Sequence, residues 1–271
     1  MQTRPPLDFT SVYAKLDRAE EHLNAVYAEI AQWHNSCRYE SFPERGSQMT
    51  RVGVALLRIG PDPYTTRWAV MIGDCLSNIR AALDHIIYSF AKFHAANNPS
   101  PDIENLAFVI ADSPEEFKKA ARGRLKGFTQ GFIDLVESFQ PYRRKHPVLP
   151  PLLALIRDLS NADKHRLLQV AGAGVAQLNV TYVGTHGIGA KIGMINPEPI
   201  EKNTIVCVVE STEPDPNLAV HAVDISVQVA LWHGQREGST NPLEGRTEVV
   251  ALLKLLIGEV KAFIDAVKGN L

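Results

Sequence analysis

Apolar residues recur at spacings of three and four along four long stretches of the chain. In residues 8–34 the stripe is Val12, Leu16, Leu23, Val26 and Ile30, with Asp8 or Thr10 placed to cap it. In residues 66–94 it is Ile72, Leu76, Ile79, Leu83, Ile86 and Phe90. Residues 150–170 carry Leu152, Ile156, Leu159 and Val170, and residues 243–268 carry Val249, Leu252, Leu253, Leu256, Val260, Phe263 and Val267. Each is one stripe of an amphipathic helix. Two shorter helices are predicted within residues 115–139, broken near residues 123–131. They open on Ser113 as N-cap, with Pro114 first in the helix and Glu116 completing a capping box.

Other stretches read as strands. Residues 50–59 bring Val52, Val54 and Leu56 to one face. β-Branched runs at 177–184, 190–195, 204–210 and 220–232 are separated by Gly, Pro, Asn and Asp, which predicts an antiparallel sheet with hairpins and loops. The apolar run 106–110 suggests an edge strand. Residues 35–48 read as a polar loop, and residues 97–102 as a break. The pattern predicts an α+β fold: a four-helix bundle (8–34, 66–94, 150–170 and 243–268) with an antiparallel β-sheet packed on one side. That sheet comprises the β region of about 175–235 plus strand 50–59. Helices from both ends of the chain are needed for one core, so residues 1–271 are expected to form a single domain.

Composition narrows the function classes. The 271 residues are 45% hydrophobic and 21% charged, an ordinary globular balance. A formal net charge of −2 argues against a general polyanion binder but leaves room for a local basic groove. The first ten residues lack the apolar core of a secretory signal, and no apolar run approaches a membrane span. Three cysteines, Cys37, Cys75 and Cys207, lie far apart with no C-x-x-C, as expected of a reduced, cytoplasmic protein.

The helix at 66–94 is polar along the edges of its stripe. At about 100° per residue, Asn78 and His85 share one flank, while Arg80 and Asp84 share the other. In residues 150–170, Asp158, Asn161 and His165 share a flank, and Asp163 falls within the apolar stripe with Arg166 at its edge. Leu-Ser-Asn precedes a His on both helices, at residues 76–78 and 159–161. Packed with those flanks facing, the two helices would bring His85 towards His165. Asn78 and Asn161 would orient them, with Asp84 and Lys164 as acid–base neighbours. Asp163 would then need a buried cation, from Arg166 or Arg80.

Arg80-x4-His85 resembles the R-x4–6-H signature of the HEPN superfamily, small helical bundles of bacterial toxin–antitoxin and phage-defence systems. Ala81 stands where that pattern favours a polar residue. The motifs Asn78-x-Arg80-x-x-Leu83-Asp84-His85 and Asn161-x-x-Lys164-His165-Arg166 are also similar to those of a group of uncharacterised bacterial proteins. The HEPN resemblance implies metal-independent endoribonuclease activity or RNA binding. It assigns Arg80 and His85 to catalysis; the facing flanks add His165 as a catalytic candidate, with Asn78, Asp84, Asn161 and Lys164 in support. Imidazole titrates near neutral pH, and guanidinium is a planar phosphate donor. It also implies a homodimer, an antitoxin or defence partner, and no cofactor. On a regular helix, Arg80 and His85 lie about 140° apart and about 7.5 Å in rise, so convergence needs a second helix or a second copy.

Two alternatives stand beside that reading. One is a non-catalytic module binding a ligand or protein. The other is a metal-dependent hydrolase drawing on Asp84, His85, Asp158, Asp163 and His165, although H-x-x-x-H and H-E-x-x-H spacings are absent. There is no G-x-S-x-G elbow, P-loop or dinucleotide fingerprint. Residues 118–126, with Lys118, Lys119, Arg122, Arg124 and Lys126, and residues 143–145 form the most basic part of the chain, a solvated face or one side of an RNA groove.

Overall fold

Thirty-one residues, Thr65–Ala95, form the helix predicted around the Ile72–Phe90 stripe. Ile72, Leu76, Ile79, Leu83 and Ile86 are fully buried, each such side chain stabilising the fold by about 1.5–3 kcal/mol. The structure, a computed structural model, describes residues 7–45, 51–95, 106–144, 149–165, 168, 170–183, 188–191, 204–232 and 246–269. In chain order the elements are α1 (Thr10–Ser36), β1 (Arg38–Arg45), β2 (Arg51–Ile59), α2 (Thr65–Ala95), α3 (Pro114–Arg124), α4 (Gln130–Ser138) and α5 (Leu152–His165). They continue with β3 (Val170–Val183), β4 (Ile188–Lys191), β5 (Thr204–Ser211), β6 (Ala219–Trp232), β7 (Arg246–Glu248) and α6 (Val249–Gly269). The fold is α+β with packed helices. No helix among the described residues is long and apolar enough to cross a membrane.

The chain forms two compact units. Met1–Val26, Ala69–Leu168 and Val250–Leu271 make the first, and Tyr27–Trp68 with Gln169–Val249 the second, so α1 and α2 contribute residues to both. In the first unit the predicted stripes face inward. Val12, Leu16, Leu23 and Val26 of α1 are buried, as are Leu153, Ile156 and Leu159 of α5 and Leu252, Leu256, Val260 and Phe263 of α6. The Cys75 thiol of α2 donates to the Ala19 carbonyl of α1 at 3.3 Å, and burial pushes its pKa up to about 12. Lys261 of α6 pairs with Glu20 of α1 at 2.6 Å. Phe108 and Phe139 both meet the Phe263 ring edge-on, with centroids 5.0 and 4.9 Å away.

The second unit holds two antiparallel sheets rather than the single predicted one, with strand orders β1-β2-β5-β4 and β3-β6-β7. β5 takes β2 and β4 as neighbours, whereas the long β6 takes β3 through three register shifts. Such bulges raise local twist, which favours separate, strongly twisted sheets. The polar segment expected as a loop contains β1, paired along its whole length with β2. It is an edge strand, where the Pro at position 43 is tolerated. Gly60, at φ +150, lets the chain pass the junction of α1 and β1: a Cβ there would lie 3.0 Å from the Cys37 Cα.

Three further boundaries differ from expectation. α5 ends at His165, and Val170 begins a strand instead of closing the helical stripe. The short β7 precedes α6, which starts at Val249. Residues 106–110 belong to no strand. The predicted start of α3 is present: the Ser113 hydroxyl accepts from the Glu116 amide at 3.2 Å, and the Glu116 carboxylate accepts from the Asp112 amide at 3.1 Å.

Candidate anion-binding cleft

The segment at 106–111 is buried at Phe108, Val109 and Ala111 yet lies in no sheet. Buried peptide groups need partners, and here side chains supply them. Arg80 and Asp84 occupy i and i+4 of α2, on the flank read from their spacing. The Phe108 amide donates to Asp84 Oδ1 at 2.8 Å, and Arg80 Nη2 donates to the Phe108 carbonyl at 2.7 Å. Arg80 and Asp84 approach each other at 3.4 Å. The fully buried Gln140 repeats the device on the residues that follow. Its Oε1 accepts from the Ala111 amide at 2.8 Å, and its Nε2 donates to the Val109 carbonyl at 2.9 Å.

Held in this way, the segment forms one wall of a cleft of about 660 Å³. Arg80 and Asp84 line it from α2, Arg124 from the end of α3, and Arg157, Ser160, Asn161 and Lys164 from α5. Four cations and one carboxylate therefore share the space. Burial pulls the Arg80 pKa below its ordinary value. Asp84 opposes that shift, and the charges of Arg124 and Arg157 add to it. Arg157 donates to Asp158 at 2.7 Å and to Asp112 at 2.8 Å, and the first of these bonds leads in raising its pKa. Arg124 and Lys164 make no hydrogen bond or ion pair among the described residues. The Ser160 Oγ is buried and has no hydrogen-bond partner there.

Of the residues singled out in the sequence, Arg80, Asp84, Asn161 and Lys164 come together around the cleft. Asn78, His85 and His165 are not among its lining residues. Asn78 Nδ2 donates to the Asp74 carbonyl one turn back at 2.8 Å. The His85 Nδ1 is buried without a hydrogen-bond partner among the described residues, and His165 is exposed at the last position of α5. The 140° between Arg80 and His85 accounts for the separation: with one facing the cleft, the other points elsewhere.

Arg157 and Ser160 carry no role in the expectations drawn from the sequence. Their signal was available on α5, where Arg157, Asn161 and Lys164 stand at i, i+4 and i+7 on one flank. Arg124 was read only as one of a run of cations. Elsewhere in that run, Lys118, Arg122 and Lys126 line a shallower groove of about 330 Å³. Arg143 pairs with Glu137 at 2.8 Å, and Arg144 pairs with Glu259 at 3.3 Å and covers the Phe139 ring. Lys145 lies outside the described residues.

Among the described residues no cation pairs with Asp163. Arg166 lies outside the described residues, and Arg80 is engaged with Asp84 and Phe108. The Asp163 carboxylate instead packs over Gly73, where a Cβ would collide with it. Burial raises its pKa, and the charge of Asp74 raises it further. Among the described residues no group of three or more His, Cys, Asp or Glu side chains converges as a metal site would require.

Compared with known proteins, the chain matches no family model, no curated protein and no solved structure.

Proposed function

We propose that the chain binds RNA and that the cleft between α2, α3 and α5 holds its phosphates. The observation that carries this reading is the set of four cations around one cleft, two of them without a partner among the described residues. Like charges held together in a partly buried space repel, and an anion between them relieves that repulsion. The choice of RNA among phosphate-bearing ligands rests on the resemblance at Arg80–His85. HEPN-like cleavage needs an imidazole at the phosphate. The described lining residues include none, which favours binding over turnover.

Binding of an internally labelled single-stranded RNA, followed by fluorescence anisotropy over a range of salt, tests the reading. Each phosphate contact contributes about −0.7 to the slope of log K against log salt. The double variant Arg124→Ala, Lys164→Ala should flatten the slope by about 1.4 with no loss of thermal stability, and the RNA should stay intact. An unchanged slope, or no binding by wild type, overturns the proposal.

The same reading includes a homodimer. Val70 and Tyr88 lie five turns apart on one side of α2 and are 53% and 38% exposed, two apolar side chains that a second copy would cover.

A further inference from the structure

The charges around the cleft do not cancel evenly. Arg80 is matched by Asp84, and Arg157 by Asp112 and Asp158. Arg124 and Lys164 have no counterpart among the described residues, so four cations face three carboxylates and one positive charge is left over. Ser160 stands one helical turn before Lys164. It is only 4% exposed, lines the same cleft, and has a hydroxyl with no hydrogen-bond partner among the described residues. A buried hydroxyl without a partner loses the bonds it made to water and gains nothing in return. Rotation about χ1 would turn it towards the space the residue already lines. At about 660 Å³, the cleft falls within the roughly 300–1,000 Å³ typical of small-molecule sites. It is suited to one nucleotide more than to a length of polymer.

A phosphodiester inside an RNA chain carries one negative charge. A terminal phosphomonoester carries close to two at neutral pH, because its second proton leaves near pH 6. We propose that the cleft holds a terminal phosphomonoester, with Arg124 and Lys164, the two cations without a partner among the described residues, pairing with its oxygens and the Ser160 hydroxyl donating to another. The inference rests on the phosphate-binding reading above and narrows it from any phosphate to the end of a chain or a free mononucleotide. Three free oxygens suit donors arriving from both α3 and α5, whereas an internal phosphodiester offers two.

The test titrates the full-length chain at pH 7.5 with a short oligoribonucleotide bearing a 5′-phosphate, its 3′-phosphate counterpart, the same oligomer with hydroxyls at both ends, and adenosine 5′-monophosphate. At least one phosphorylated oligomer should bind ten times or more tighter than the unphosphorylated one. That preference should shrink as the pH falls below 6 and the phosphate becomes a monoanion. The variant Arg124→Ala should remove most of the preference, and Ser160→Ala should reduce it several-fold, with melting temperatures confirming that both remain folded. Mononucleotide affinity close to that of the phosphorylated oligomer assigns a free nucleotide; much weaker affinity assigns the RNA end. Equal binding of phosphorylated and unphosphorylated oligomers overturns the inference and leaves RNA binding standing. A preference that survives Arg124→Ala with Lys164→Ala also overturns it, and failure of every probe to bind removes both proposals.

Discussion

Asp163 sits over Gly73 with Asp74 close by, and its carboxyl titrates above the ordinary value because burial and that second charge both oppose ionisation. A group whose pKa is raised by folding adds stability below its unfolded pKa and loses it as the pH rises through the folded one. Wild type should therefore gain stability relative to Asp163→Asn as the pH is lowered towards 4, while at pH 7 the Asn variant should melt higher. Paired thermal melts across that range check the sign, and a variant that melts lower at pH 7 would show that Asp163 makes a stabilising contact. The sequence placed Asp163 on the apolar stripe of its helix, but helical spacing says nothing about what stands opposite. Its neighbour among the described residues is a glycine on α2. The same limit applies to Arg80 and Asp84. Their shared flank was legible at i and i+4, whereas the peptide they grip lies 24 residues from Asp84.

Among the elements, helices were read best because a stripe of three and four repeats over many turns. α1, α2 and α6 begin or end close to the boundaries their stripes suggest, and Ser113, Pro114 and Glu116 marked the start of α3. β1 was missed because an edge strand rich in polar residues has no alternation to detect. The segment at 106–110 was apolar enough to suggest a strand, and it does hide its side chains. Its backbone, however, finds Gln140, Arg80 and Asp84 in place of a neighbouring strand. Gln140 carries a correspondingly large share of stability. Gln140→Ala leaves the buried Ala111 amide and Val109 carbonyl without their bonds, for a loss on the order of 3 kcal/mol. Gln130→Ala, which removes only an exposed bond to Asp134, should stay within about 0.5 kcal/mol. Urea midpoints of the two variants make the comparison.

For the whole molecule, the need for both chain ends was legible from the helical stripes. Met1–Val26 and Val250–Leu271 fall in one unit with α5 and most of α2. Lys261 and Glu20 join across 241 positions of sequence. The division of the β-structure into two sheets was not legible. Strand pairing is fixed by bulges and register, and composition carries neither. Assembly is a question for solution measurement. If a second copy covers the exposed Val70 and Tyr88, sedimentation at micromolar concentration should give about twice the 29.9 kDa of one chain. Val70→Asp should return the monomer. A wild-type species at the chain mass alone would remove the dimer.

Side chains that stand in for a strand leave a recognisable trace in solvent exchange. Asp84 and Gln140 take the amide protons of Phe108 and Ala111, while the amides of Val109 and Ile110 make no hydrogen bond among the described residues. In deuterated water, Phe108 and Ala111 should exchange as slowly as core helix amides, with two faster positions between them. An edge strand in an antiparallel ladder protects alternate residues and a central strand protects them all, so two adjacent fast positions mark this arrangement as different. Each slow amide also has its own release. Asp84→Ala should free Phe108 first and Gln140→Ala should free Ala111 first, so two single substitutions can report on each half of the cleft wall separately.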